Sequence, residues 1–185
     1  PEQEHNHLGD TRLNQYNMRG HRIDVDFIGA NSNVFCEPEK ERAFFSNYYN
    51  TGVPEGITHV KSYGEISYFN LYNNIDALFG IGNGNSLKYD FIVKPGGNHK
   101  KIKLAYKGGN SLTVRNGILQ IETSLGIVQE QMPRVYQIID DEVIDIEAAF
   151  ILKDNIISFD IGKYDKNYEL VIDPWITYFG GVRPE

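Results

Sequence analysis

The groups that could do chemistry are few and scattered. Cys36 is the single cysteine, so no disulfide can form within the chain. A thiol nucleophile needs a neighbouring base and an orienting partner. Nothing local to Cys36 supplies either, and it reads as a small, partly buried apolar group. His5 and His7 stand two apart, with His21 further on. In an extended segment, residues two apart share a face and could chelate a metal. No thiol or carboxylate at a known ligand spacing completes the set, so no metal site and no cofactor is expected. Carboxylates are plentiful at Asp24, Asp26, Asp140 to Glu142, Asp145, Glu147, Asp160 and Asp165. Two carboxyls ~5–9 Å apart would suit glycoside hydrolysis. No spacing selects such a pair, and no calcium-loop run occurs. Turns and solvent-facing strand positions account for them.

Gly80-Ile81-Gly82-Asn83-Gly84 has the glycine density of a phosphate loop. A dinucleotide site needs a helix after such a loop, because the helix N-terminus holds the anion. Here the alternating run Leu87–Val93 comes next, so the glycines read as a hairpin turn. The basic residues Lys94, His99, Lys100, Lys101, Lys103 and Lys107 read as a solvated strand-and-turn face. The chain carries 18 basic and 25 acidic residues, a net charge of −7. That field repels phosphate backbones, so nucleic acid is not an expected partner. The aromatics are the remaining candidates. Tyr48 and Tyr49 follow Phe44 and Phe45, and Tyr63 and Tyr72 flank Tyr68 and Phe69. An exposed row of two or three of Tyr48, Tyr49, Tyr63 and Tyr72 would stack on a sugar; otherwise these rings belong to a β core.

The elements that must position these groups are strands. At 185 residues and 21.1 kDa the chain suggests one domain, with roughly 70% of its unfolded surface available for burial. His21–Gly29 alternates, with Ile23, Val25 and Phe27 on one side and Arg22, Asp24 and Asp26 on the other. Further strands are expected over 57–63, 64–71, 75–81, 87–93, 102–106, 112–114, 118–123, 127–128, 135–139, 143–152, 156–161 and 170–172. Asn116-Gly117, Asp140-Asp141 and Asp154-Asn155 mark turns. Residues 34–56 are expected to be a long, mostly irregular connection. Asp173-Pro174 is expected to end the last strand, since proline cannot continue a ladder. No segment keeps a helical period over ten residues, and no apolar run reaches the ~20 residues that span a bilayer. The fold expected is all-β: an antiparallel β-sandwich of roughly a dozen short strands with little helix. A polar arm at 1–20 precedes the sandwich at 21–174, and 175–185 is a linker or the start of a further unit, unless Trp175–Gly181 packs on the domain as a C-terminal strand. Starting at Pro1, the chain reads as a fragment of a longer protein.

The ordered string Asn70-Leu71-Tyr72-Asn73-Asn74-Ile75-Asp76, then Leu87–Val93 with Lys94-Pro95-Gly96-Gly97, resembles the core of a recurrent domain of secreted Bacteroidetes proteins. Val25–Asn31, Ile102–Gly108, Thr123–Gly126, Phe150–Lys153, Gly162–Asp165 and Leu170–Pro174 extend the resemblance. Thr177-Tyr178-Phe179-Gly180-Gly181 is similar to the start of SBBP-type β-propeller repeats, which commonly come after that domain. The resemblance implies an extracellular or cell-surface location within a large exported protein, often with a gliding-motility-associated, type IX sorting segment. It carries over no catalytic residues. A non-catalytic module for adhesion, surface binding or propeller capping is therefore expected, with a surface glycan or protein as partner and no membrane insertion. The alternatives are a carbohydrate-binding module and a carboxylate-dependent hydrolase.

Overall fold

A computed structural model describes residues 19–50, 52–82 and 87–179. It is an all-β sandwich of two antiparallel sheets. The strands are β1 (Asp24–Phe27), β2 (Phe35–Asn50), β3 (Val53–Tyr72), β4 (Ile75–Ile81), β5 (Leu87–Val93), β6 (Leu104–Lys107), β7 (Ser111–Arg115), β8 (Ile118–Thr123), β9 (Gly126–Ile139), β10 (Glu142–Ile146), β11 (Ala148–Lys153), β12 (Ile156–Ile161) and β13 (Leu170–Phe179). The small sheet runs β1-β6-β12-β11. The large one runs β2-β3-β4-β5-β13-β9-β8-β7, with β10 on β9. The arm at 1–18, with His5 and His7, lies outside the described residues.

Alternation places the core. In β5, Tyr89, Phe91 and Val93 are buried, and Lys88, Asp90 and Ile92 take the other face. Phe91 is fully enclosed and meets Phe27, Tyr89 and Phe159 edge-on. Ile75, Ile102, Leu104, Leu119, Ile157, Leu170 and Ile172 complete the interior. The hairpins obey turn chemistry. Asn116-Gly117 joins β7 to β8 with φ of 51° and 78°, and Asp154-Asn155 joins β11 to β12 with 53° and 59°. Both residues of each turn are left-handed, as a two-residue hairpin requires. Asn155→Val should therefore cost about 1–2 kcal/mol, because a β-branched side chain resists positive φ. Urea denaturation at neutral pH reads it.

The string that carries the resemblance is a clasp between two turns. Asp76, nearly buried, accepts the Asn70 amide at 2.8 Å and pairs with Lys94. The Lys94 amide donates to the Asn74 carbonyl at 2.9 Å. A Cβ on Gly97 would come 2.7 Å from that same carbonyl oxygen, so only glycine closes the turn. These residues hold the β3–β4 and β5 ends together; they do not form a site.

Four expectations need correction. Most of the 34–56 segment is strand: β2 covers Phe35–Asn50 and β3 begins at Val53, the two pairing from Phe35↔Phe69 to Asn50↔Val53. This hairpin is wetted on both faces over much of its length, so its residues carry no alternation. Second, the run 143–152 divides at Glu147, where the chain passes from the large sheet to the small one. Third, the strands expected at 127–128 and 135–139 are one, β9, which runs through Pro133. Fourth, β13 does not end at Pro174 but continues to Phe179, so of the alternatives for the segment after Pro174 residues 175–179 take the C-terminal strand. The two prolines explain each other. Asp173 pairs with Arg134 and Trp175 with Gln131, so Met132 and Pro133 together oppose Pro174. This is a β-bulge, where ladder bonds are already missing and a residue without an N–H costs nothing.

Candidate functional site

The four candidate tyrosines do not converge. Tyr72 is 3% exposed and its hydroxyl sits 3.4 Å from the Lys103 carbonyl, so it is a core residue unavailable to a sugar. Burial raises its pKa. The reason is its place at the end of β3, just before the turn into β4, beneath the small sheet. Tyr63 is partly buried opposite Glu41. Tyr48 and Tyr49 are 55% and 70% exposed near the tip of the β2–β3 hairpin. They are consecutive strand residues, which send their rings to different sides. Tyr49 lies over Gly56, where a Cβ would come 2.5 Å from its Cδ1. Of the four tyrosines only Tyr48 and Tyr49 are exposed.

What the hairpin does form is an arm. β4 pairs with β3 only from Glu65 onward. Residues 41–50 and 53–63 therefore project as a two-stranded ribbon. Phe44, Phe45, Tyr48, Tyr49 and Ile57 are all exposed along it. Phe45 stacks on His59 at 4.6 Å and Arg42 lies 6.0 Å from the Phe44 ring. The rows Glu65↔Gly80, Gly80↔Lys88 and Lys88↔Trp175 line up across four strands. Given the strand directions at that line, the ribbon and the 176–179 end of β13 leave the sheet on the same side.

Inside the sandwich, Glu130 is 1% exposed. Tyr89 donates to its Oε2 at 2.8 Å and Tyr106 donates to Oε1. Burial pushes the Glu130 carboxyl up, and the two hydroxyls oppose that. Both tyrosines are driven well up, first by burial and then by the carboxylate beside them. A pocket of about 200 Å³ beside this cluster is lined by Val25, Phe27, Phe79, Leu87 and Ile176. Across Phe27 and Phe79 lies an open hollow of about 500 Å³, lined by those two rings with Ile66, Tyr68 and Leu71.

The family is given by a match of residues 1–175 to the model described as "Domain of unknown function (DUF7948)". The chain belongs to that family. No curated protein and no solved structure matches it.

Among the described residues of this DUF7948 domain, burial raises the pKa of two carboxyls, Glu130 and Asp90, and they do not share a cleft. Glu130 faces the sandwich interior. Asp90 faces the outer surface of the same sheet, beside Asp173, with Lys88 3.4 Å and 3.1 Å from the two. Asp145, Glu147 and Asp160 do line one groove, about 660 Å³ in volume. All three are exposed, and Arg134 donates to Asp145 at 2.8 Å. A general acid of the glycosidase kind needs a carboxyl shielded from solvent, which this groove does not offer. Cys36 is exposed, not partly buried, because no second layer covers that end of β2. The basic residues disperse too: Lys94 serves Asp76, Lys107 serves Asp26, and His99 turns inward 3.1 Å from the Tyr164 hydroxyl. Glu130 went unremarked in the sequence, although its parity with Val128 already places it on the inward face of β9.

Proposed function

We propose that this chain is a non-catalytic binding module of a larger exported protein, working outside the cell or at its surface. In this reading the β2–β3 arm grips the β-propeller repeats that come next in the full-length protein, and so caps or presents them. One observation carries the reading: four aromatics of the arm, Phe44, Phe45, Tyr48 and Tyr49, are each more than half exposed. An isolated two-stranded ribbon is marginal in water, and exposed apolar groups of this size usually mark a partner surface. Their mixture of Phe, Tyr and Arg matches protein interfaces. The arm leaves the sheet beside the outgoing end of β13, where the repeat-like residues Thr177–Gly181 begin. The export setting rests on the resemblance of the Asn70–Gly97 string to secreted proteins.

The test compares this chain with its Phe44→Ser/Phe45→Ser/Tyr48→Ser/Tyr49→Ser variant on immobilised propeller repeats, with a glycan array in parallel. The variant should keep the melting temperature of the parent, because none of the four is in the core, and lose at least about tenfold in affinity. Unchanged affinity in the variant rejects the arm. Binding of the parent to glycans alone, lost on Tyr48→Ser/Tyr49→Ser, would replace this reading by a carbohydrate-binding one.

A further inference from the structure

The two sheets are unequal, and the mismatch falls beside β1. The small sheet has four strands and ends at β1. Phe27 of β1 packs on Phe79 of β4 and Phe91 of β5, with ring centroids 5.9 Å and 6.2 Å apart. The small sheet thus stops above β4, and the inner face of β3 beyond it has no layer above it. The open hollow lies there, walled by Phe27, Ile66, Tyr68, Leu71 and Phe79 and by no charged group. Ile66 is 38% exposed as a result.

The backbone says what kind of group fits. The Ile28 amide donates to the Lys103 carbonyl at 2.9 Å, continuing the β1–β6 ladder. Peptide groups alternate sides along a strand. Val25 and Phe27 therefore turn theirs away from β6; the Phe27 carbonyl accepts the Ala30 amide at 3.2 Å, and among the described residues no strand pairs with the Val25 groups or the Phe27 amide. An edge open at Val25 and at the Phe27 amide, over an apolar trough, is the setting in which an extended peptide adds as a further strand.

Charge narrows the occupant. Asp24 and Asp26 stand on the outer face of β1, each already drawn to a cation, Arg22 and Lys107 respectively. A second copy of β1 pairing with itself in antiparallel fashion would set aspartate against aspartate, which is unfavourable. An added strand with Lys or Arg on its outer face would instead complement them. We propose that the β1 edge is a strand-acceptor site for an extended peptide of alternating basic and apolar residues. It adds as a fifth strand to the small sheet and lowers its apolar side chains into the hollow between Phe27 and Ile66. This is a second site, and it does not depend on the arm gripping a propeller.

The test titrates the isotope-labelled chain with acetyl-Lys-Val-Lys-Ile-Lys-Val-amide and monitors amide shifts by NMR. Saturable shifts are expected at Val25–Phe27, Ile66, Tyr68 and Phe79. The Glu-Val-Glu-Ile-Glu-Val peptide should bind at least about tenfold more weakly. Methylating every second peptide nitrogen blocks either the edge-facing amides or the outward ones, so one set should lose binding at least about tenfold and the other should not. Asp24→Asn/Asp26→Asn should weaken the basic peptide and leave the melting temperature near that of the parent. The four-serine arm variant should bind the peptide as the parent does, which separates this site from the arm. Absence of saturable shifts at millimolar peptide, shifts elsewhere, or equal loss with both methylated sets would overturn strand addition.

Discussion

Glu130→Ala is expected to destabilise the domain by about 3–5 kcal/mol. Truncation removes the shared acceptor of two hydroxyls, that of the buried Tyr89 and that of the partly buried Tyr106. It also opens a void beside the existing pocket. Urea denaturation at pH 7 measures it. Glu130→Gln keeps the volume and one carbonyl acceptor, and should lose no more than about half as much. The mechanism has its own signature. In Tyr89→Phe/Tyr106→Phe the hydroxyls are gone already, so Glu130→Leu in that background should cost far less than in the parent. Equal costs in the two backgrounds would show that the three groups do not act as one network.

Asp90→Asn is expected to stabilise the domain at neutral pH by up to about 2–3 kcal/mol. Burial first, and then repulsion from Asp173, push the Asp90 carboxyl from 3.8 up to about 6, against the pull of Lys88. Its Oδ1 is buried without a hydrogen-bond donor. A carboxyl raised in the folded state binds its proton more tightly there than in the unfolded chain. Stability from this group is therefore present at low pH and is lost as pH rises from about 4 to about 6. At pH 7.5 the ionised Asp90 carries the full penalty, and asparagine removes it. Below pH 4 the advantage of asparagine should vanish. Denaturant midpoints for parent and variant across pH 4–8 give the difference. Parallel curves for the two proteins would remove Asp90 as the source of that slope.

Much of the sandwich was legible because alternation reports which side of a strand is wet. Leu87–Val93 shows Tyr89, Phe91 and Val93 as its inner row, and Asn116-Gly117 and Asp154-Asn155 announce their turns by the side chains that tolerate positive φ. The arm was not legible, because a ribbon with solvent on both faces has no reason to alternate. Nor was the fate of each aromatic: Tyr49 and Tyr72 are the same residue in similar local company, yet one is 70% exposed and the other 3%.

From the sequence alone came the class of fold and hairpin turns such as Asn116-Gly117 and Asp154-Asn155. Tertiary structure alone decided that Pro133 and Pro174 share one bulge, that Glu130 is clamped by rings from two different strands, and that the small sheet stops one strand short above Ile66. The reason is physical. A period of two records how a strand divides water from apolar surroundings, whereas the neighbour across the gap is set by pairing between segments tens of residues apart, which no local pattern encodes.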